Sequence, residues 1–201
     1  IASARENARV TRDLIPKDAW IALNELHGLI ERQSFAGFDR SSRIRLLKQV
    51  ISSCRLWHGC LVASQARDLS WLFLRLGDRL EHADMVSRLV DPRVTQMVPG
   101  ASTRWSSYEA IGWQNLLTAL GGVELYRHSA RNRMHGSDVL DFVLRDTNFP
   151  QSMAAALNSV RRYLNKLPHQ RVSTYLLDGI VDGLTELDLE RLTPDLLTQN
   201  M

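Results

Sequence analysis

Charged residues at helical spacing occur in two stretches of the chain, RENARVTRDL at residues 5–14 and RLGDRLEHADMVSR at residues 75–88. Arginine presents a planar fork of N–H donors that can bind a carboxylate through two parallel hydrogen bonds. A carboxylate with a raised pKa can act as a general acid or base. The residues that could do such chemistry are Arg5, Glu6, Asn7, Arg9, Arg75, Glu81, Asp84 and Arg88.

Three interpretations of these residues are open. The arginines and carboxylates could interlock between two packed helices, where they would set the helix register at little net gain in stability. They could instead converge on a shared polar pocket that binds an anionic or peptide ligand, or they could lie in solvent. An enzyme of the pocket type would have its site built from Glu6, Arg9, Glu81, Asp84 and Arg88.

The elements that position these residues are predicted to be helices. Apolar residues recur three and four apart, and neither an alternating strand nor a hairpin turn between β-branched runs occurs. The pattern predicts an all-α fold, an irregular multi-helix bundle of about seven or eight helices. The expected helices cover roughly residues 2–14, 18–32, 41–66, 69–90, 105–127, 136–145, 151–167 and 170–190.

Individual residues set the expected ends of these helices. Asp68 is a predicted N-cap of the fourth helix and Pro92 its predicted end, while the pair at residues 121–122 is expected to kink the fifth. On a helical wheel the fourth helix carries one broad apolar sector, which is expected to face the core. That sector contains Leu69, Leu72, Phe73, Leu76, Leu80, Ala83 and Val90.

Composition narrows the class of protein. The chain of 201 residues fits one domain or two small ones, and no run approaches the length of a membrane span. Of its 25 basic residues 22 are arginine, but 22 acidic residues are mixed through the sequence. We therefore expect no nucleic acid and no membrane partner. The two cysteines, Cys54 and Cys60, do not form a disulfide framework, which favours a cytoplasmic location.

No metal and no cofactor is predicted. Cys54 and His58 stand four residues apart, a spacing that can place two ligands on one metal ion, but Cys60 is out of line and no second pair appears. The pair at Gly121 and Gly122 lacks the flanking pattern of a phosphate-binding loop.

Three blocks of the sequence resemble the alpha-E family of bacterial helical domains, which is named for a glutamate–arginine motif. The blocks are 4-ARENARVTRDLIPKDAWIALNEL-26, 68-DLSWLFLRLGDRLEHAD-84 and 139-VLDFVLRDTNFPQS-152. They occur in the family's order, so the resemblance covers nearly the whole chain as a single domain, residues 1–201. Where the family has arginine after the glutamate of L-E-R-A-D, this chain has Glu81 followed by His82.

The resemblance implies a function and partners. Alpha-E proteins are typically encoded beside, or fused to, ATP-grasp-like ligases and transglutaminase-like proteins. We therefore expect an accessory or scaffold protein that works with an ATP-grasp-type ligase in a peptide- or amide-bond-forming pathway. The alternative is an enzyme whose carboxylate–arginine pocket acts on a peptide-like substrate.

The resemblance also implies that the chain lacks the N-terminal helix or helices with which family members begin. A domain without them is expected to expose an apolar groove beside the fourth helix, or to fill that groove by forming a homodimer.

Overall fold

The computed structural model describes residues 1–32, 39–95, 106–129, 134–168 and 171–189. These residues contain helices and no strand, which confirms the predicted all-α fold. The helices in these ranges are α1 (Ala2–Val10), α2 (Lys17–Glu31), α3 (Arg40–Ser64), α4 (Leu69–Thr95), α5 (Ser106–Leu120), α6 (Val123–His128), α7 (Gly136–Arg145), α8 (Met153–Leu164) and α9 (Arg171–Glu186).

The chain divides into two compact units, Ile1–Trp71 and Leu72–Met201. In the first unit α2 packs against both α1 and α3. Several of the buried residues in this unit are alanines, whose small side chains allow helix backbones to approach one another closely. The buried apolar residues of this unit include Ala8, Ala19, Ala22, Leu23, Leu26 and Leu61.

The core of the second unit is larger and aromatic. The ring of Phe142 on α7 stacks on Phe149 with centroids 4.6 Å apart and meets Tyr126 of α6 edge-on at 5.3 Å. Such ring pairs stabilise a core beyond the area that they bury. Around them pack Val86, Val90, Trp113, Leu116, Leu117, Leu120, Val139, Leu140, Val143, Leu144 and Leu189.

The glycine pair expected to kink the fifth helix divides it completely, and residues 106–128 form two helices. Gly121 adopts the left-handed conformation with φ 68°, which favours glycine. The N–H of Gly122 then donates to the carbonyl of Leu117 at 2.8 Å, and this bond closes the end of α5. A side chain on Gly122 would come within 2.7 Å of the Phe149 ring, so this glycine also leaves room for the core.

The predicted end of the fourth helix at Pro92 is wrong, since α4 continues for another turn to Thr95. Proline fixes φ near the helical value, so its cost lies mainly in the missing N–H, which leaves the carbonyl four residues earlier without its helix bond. That carbonyl belongs to Arg88, and both residues lie on the exposed side of the helix, where water can bind to it.

The apolar sector of α4 only partly faces the core. Leu69, Phe73 and Leu80 are 58%, 60% and 49% exposed, contrary to the prediction. The buried side of the helix instead carries Leu72, His82, Val86 and Val90. Thirteen of the 27 residues of this helix are apolar and they lie on more than one side, so the pattern alone could not show which part is buried. The apolar groove expected beside the fourth helix stays a prediction.

The turn between α7 and α8 is held by side-chain hydrogen bonds. The hydroxyl of Ser152, which is fully buried, donates to the carbonyl of Asp146 at 2.6 Å and accepts from the N–H of Ala155 at 3.0 Å. Ser152 is therefore both the N-cap of α8 and a clamp on the preceding turn.

Replacing this hydroxyl tests the clamp. Ser152→Ala removes the cap and leaves a buried carbonyl without its donor, so we expect the free energy of unfolding to fall by about 2 kcal/mol. Urea denaturation followed by circular dichroism measures the change. Ser159→Ala, at a half-buried serine inside α8 whose hydroxyl binds only its own helix, is the matched control and should change stability much less. Equal effects of the two substitutions would contradict the assignment.

Candidate functional site

The predicted residues of the first stretch lie on α1. Arg9 donates to both carboxylate oxygens of Glu6, at 2.6 and 2.9 Å, and both side chains are exposed. The hydrogen bond from Arg9 lowers the pKa of Glu6. A general acid at neutral pH needs a raised pKa instead, so Glu6 does not fit that role.

Arg5 and Asn7 have different surroundings from this pair. The guanidinium of Arg5 donates to the side-chain oxygen of Asn24 at 2.7 Å and lies 5.9 Å from the centre of the Trp20 ring. Since Asn24 and Trp20 belong to α2, Arg5 fastens α1 to α2. The side chain of Asn7 is exposed, and its carbonyl accepts a hydrogen bond from the hydroxyl of Thr11.

The residues of the second stretch lie on α4. Arg88 donates to Asp84 at 2.7 Å on the exposed side of the helix, and Glu81 is exposed as well. Arg75 is half-buried, where it contacts Asp78 at 2.9 Å and donates to the hydroxyl of Tyr163 on α8 at 3.5 Å. The structure thus pairs the arginines and carboxylates among these candidates within single helices, while Arg75 also joins α4 to α8.

The two stretches belong to different units, so their convergence on a shared polar pocket stays a prediction. Within the second unit, Arg88 lines a cavity of about 430 Å³ together with residues of α4, α7, α8 and α9. Its walls are mainly apolar. The other lining residues are Ser87, Val90, Asp91, Leu140, Leu144, Met153, Leu184 and Leu187.

The helix α3 carries a surface that the sequence analysis missed. Its 25 residues contain five basic side chains and no acidic one, and all five are exposed. These residues are Arg40, Arg43, Arg45, Lys48 and Arg55. A local count of charge over residues 40–64 would have found this run, whereas the charge of the whole chain is nearly balanced and conceals it.

Apolar side chains lie among these cations. Ile44, Leu47 and Ile51 are 45%, 60% and 51% exposed and, at spacings of three and four residues, share one side of the helix. Lys48 and Arg55 lie on the same side. We name this surface the outer face of α3, made of Ile44, Leu47, Lys48, Ile51, Arg55 and Val62. Two open depressions, of about 480 and 410 Å³, occur along it.

The N-terminus of α3 is capped by the side chain of Asp39. Asp39 accepts hydrogen bonds from the N–H of Ser42 at 3.0 Å and from the hydroxyl of Ser41 at 2.7 Å. These bonds to serine lower the pKa of Asp39 to about 2. The carboxylate thus satisfies an N–H at the start of the helix and complements its dipole.

His82 is the buried polar residue of α4. Its Nε2 lies 3.0 Å from the carbonyl oxygen of Gln151, at the start of the α8 cap. Because a carbonyl can only accept, this ring nitrogen must carry the hydrogen and donate it. His82 therefore fixes α4 to the turn that precedes α8.

No group of three or more His, Cys, Asp or Glu side chains among the described residues is placed to hold a metal ion. Among the same residues, no helix is long and apolar enough to cross a membrane.

The sequence model of one family, described as a predicted alpha-helical domain with a conserved ER motif, matches residues 1–199. The chain belongs to the alpha-E family. No curated protein and no solved structure matches it. His82 stands where the resemblance places an alpha-E arginine, and here its buried ring bonds α4 to the turn that precedes α8.

A substitution of His82 tests that contact. His82→Phe keeps a ring of similar size but leaves the Gln151 carbonyl without its donor, so we expect the free energy of unfolding to fall by about 1–2 kcal/mol. The control His128→Phe, at an exposed histidine of α6, should change it by less than about 0.5 kcal/mol. Chemical denaturation measures both variants. Wild-type stability of His82→Phe would show that the hydrogen bond contributes nothing.

The cap of α3 predicts a pH dependence. The folded pKa of Asp39, about 2, lies below its ordinary value of 3.8, so the ionised carboxylate stabilises the folded chain above the ordinary value. This contribution is lost as the pH falls through the folded pKa. The difference in melting temperature between the wild type and Asp39→Asn should therefore shrink between about pH 5 and pH 2. A constant difference over that range, measured by circular dichroism, would contradict the cap.

Proposed function

We propose that this alpha-E protein is an accessory helical protein that binds a partner protein through the outer face of α3. The proposal places it beside an ATP-grasp-type ligase in a peptide- or amide-bond-forming pathway. The observation that carries the binding role is the exposed apolar row of Ile44, Leu47 and Ile51 among five cations and no anion.

Apolar burial would supply most of the affinity. Burying a fully exposed isoleucine or leucine contributes about 1.5–3 kcal/mol, so each of these half-exposed anchors contributes about half of that. An amphipathic helix presents such residues as anchors to an apolar groove. The three anchors follow one another at spacings of three and four residues, so one groove along a partner can hold all of them.

Charge would supply orientation and specificity. Lys48 and Arg55 lie among the anchors, and Arg40, Arg43 and Arg45 lie near the start of the helix. Cations at the rim of an interface raise the association rate and reject partners of like charge more than they raise affinity. The matching surface is therefore an apolar groove with an acidic rim.

The same cations could also bind the phosphate backbone of a nucleic acid, which is the alternative to a protein partner. A binder of that kind relies on cations, whose counterion release makes its affinity fall steeply with salt. The outer face of α3 instead has aliphatic side chains along its middle, where a phosphate backbone would leave them in water. This arrangement favours a protein partner.

The identity of the partner rests on the family. Alpha-E proteins resembling this chain are associated with ATP-grasp-like ligases and transglutaminase-like proteins, and the ligase is the partner that we propose first. Both proteins process peptides or amide bonds, so an accessory protein that holds the ligase or its product fits the same pathway.

Calorimetric titration of the chain with an ATP-grasp-type ligase from the same genome tests this proposal. Ile51→Asp should weaken binding at least tenfold, about 1.4 kcal/mol, because it places a carboxylate in an apolar contact. Lys48→Glu combined with Arg55→Glu should weaken it comparably at low salt. The matched controls, Ile111→Asp on α5 and Arg162→Glu on α8, change exposed residues of the same types elsewhere and should bind like the wild type.

Three results would overturn the proposal. The first is no complex with the ligase at low salt. The second is a complex that the α3 variants leave unchanged, since the contact would then lie elsewhere. The third is salt-sensitive binding of duplex DNA that Lys48→Glu with Arg55→Glu abolishes, which would assign the face to nucleic acid instead.

A further inference from the structure

The helix α9 has apolar residues on two opposite faces. Its inner face packs Leu177, Val181 and Leu184 against the rest of the second unit. On its other side Val172, Tyr175, Leu176 and Ile180 are 72%, 77%, 60% and 56% exposed. We name this side the outer stripe of α9, made of Val172, Tyr175, Leu176, Gly179, Ile180 and Gly183.

The outer stripe is continuous. At about 100° per residue its six members fall within an arc of about 140°. Over the first three turns of α9, no charged residue lies inside that arc. A row of four large exposed apolar residues on one helix marks an interaction surface rather than scattered surface residues.

The two glycines of the stripe have no role within the chain. A Cβ atom built on Gly179 or on Gly183 meets nothing within 4 Å, and neither glycine has a positive φ. Glycine inside a helix lowers its stability relative to other residues. Its use here is explained if another helix approaches the backbone closely at these positions.

We propose that the outer stripe of α9 binds the outer stripe of a second copy of the chain, with the two helices antiparallel. A two-fold axis between residues 177 and 178 brings the middle of the stripe against its own copy. Val172 then lies opposite Gly183, and Leu176 lies opposite Gly179. Both pairs put a large side chain against a glycine, so the middle of the stripe is complementary to itself.

Charge along one edge of the stripe supports the same arrangement. Arg171 lies at the start of α9, and Asp182 and Glu186 lie near its end on the same edge, all three exposed. In an antiparallel two-fold pair this edge meets its own copy, so Arg171 of one chain lies near the acids of the other. A parallel two-fold pair would instead bring this edge against the opposite, uncharged edge of the partner helix, where Arg171 would have no acid beside it.

The same reasoning selects a second copy over an unrelated partner. The outer stripe of α9 offers its own glycines as the holes for its own large residues, and its own acids for its own arginine. The outer face of α3 carries Lys48 and Arg55 and no acidic residue, so two copies of it would repel each other. The two surfaces therefore have different occupants, and dimerisation does not depend on the ligase.

Sedimentation velocity of the purified 201-residue chain tests this inference. Over concentrations from about 1 to 200 μM we expect a monomer–dimer equilibrium that approaches twice the mass of 22.9 kDa. Gly179→Leu and Gly183→Leu fill the holes and should weaken dimerisation at least tenfold. The same substitutions should leave the melting temperature of the monomer unchanged or raise it, because leucine is the better helix former.

A variant that weakens dimerisation while the monomer keeps or gains stability has lost a contact of the interface and not its fold. Gly59→Leu on α3 is the matched control, since its Cβ also meets nothing, and it should leave dimerisation unchanged. Arg171→Glu should weaken the dimer, and adding Asp182→Arg should restore it. A strict monomer at every concentration would overturn the inference. So would a dimer that Gly179→Leu, Gly183→Leu and Arg171→Glu all leave intact.

Discussion

A helix packed in a small unit can bury only one of its faces, and the helices of this protein carry apolar residues on more than one. α4 buries Val86 and leaves Phe73 exposed, and α9 buries Leu177 and leaves Tyr175 exposed. The hydrophobic effect acts on all these side chains equally. Residues that the chain's own core cannot cover are therefore the ones that a partner can cover, and both proposed interfaces follow from this constraint.

The polar residues mainly make hydrogen bonds that hold the helices and turns together. Ser152 caps α8 and clamps the preceding turn, His82 ties α4 to the same turn, and Arg5 joins α1 to α2. Exposed pairs such as Glu6 with Arg9 are worth little to stability, because water screens them and their side chains must be ordered. The arginine–carboxylate pattern thus describes the assembly of the helices more than a reaction centre.

Much of the fold could be predicted because its signals are local. Gly136 opens α7 and Asp68 accepts from the N–H of Trp71 at the start of α4, as expected. The sequence located the glycine pair at the end of α5 but not the left-handed conformation of Gly121 that divides the helix. It also could not show that Pro92 would lie on the exposed side of α4, where the helix continues past it. The exposed side of α4 was missed for a similar reason, as its pattern has two apolar sides and only tertiary packing selects one.

The basic residues of α3 could also have been found from the sequence, but the charge of the whole chain is nearly balanced and conceals them. The outer face of α3 is central to the proposed function, which requires it to bind through apolar burial as well as charge. The most direct measurement is the heat-capacity change of ligase binding, from titrations at several temperatures. The account predicts a clearly negative value that becomes smaller in magnitude in Ile51→Asp. A value near zero, with an affinity that salt alone controls, would contradict it.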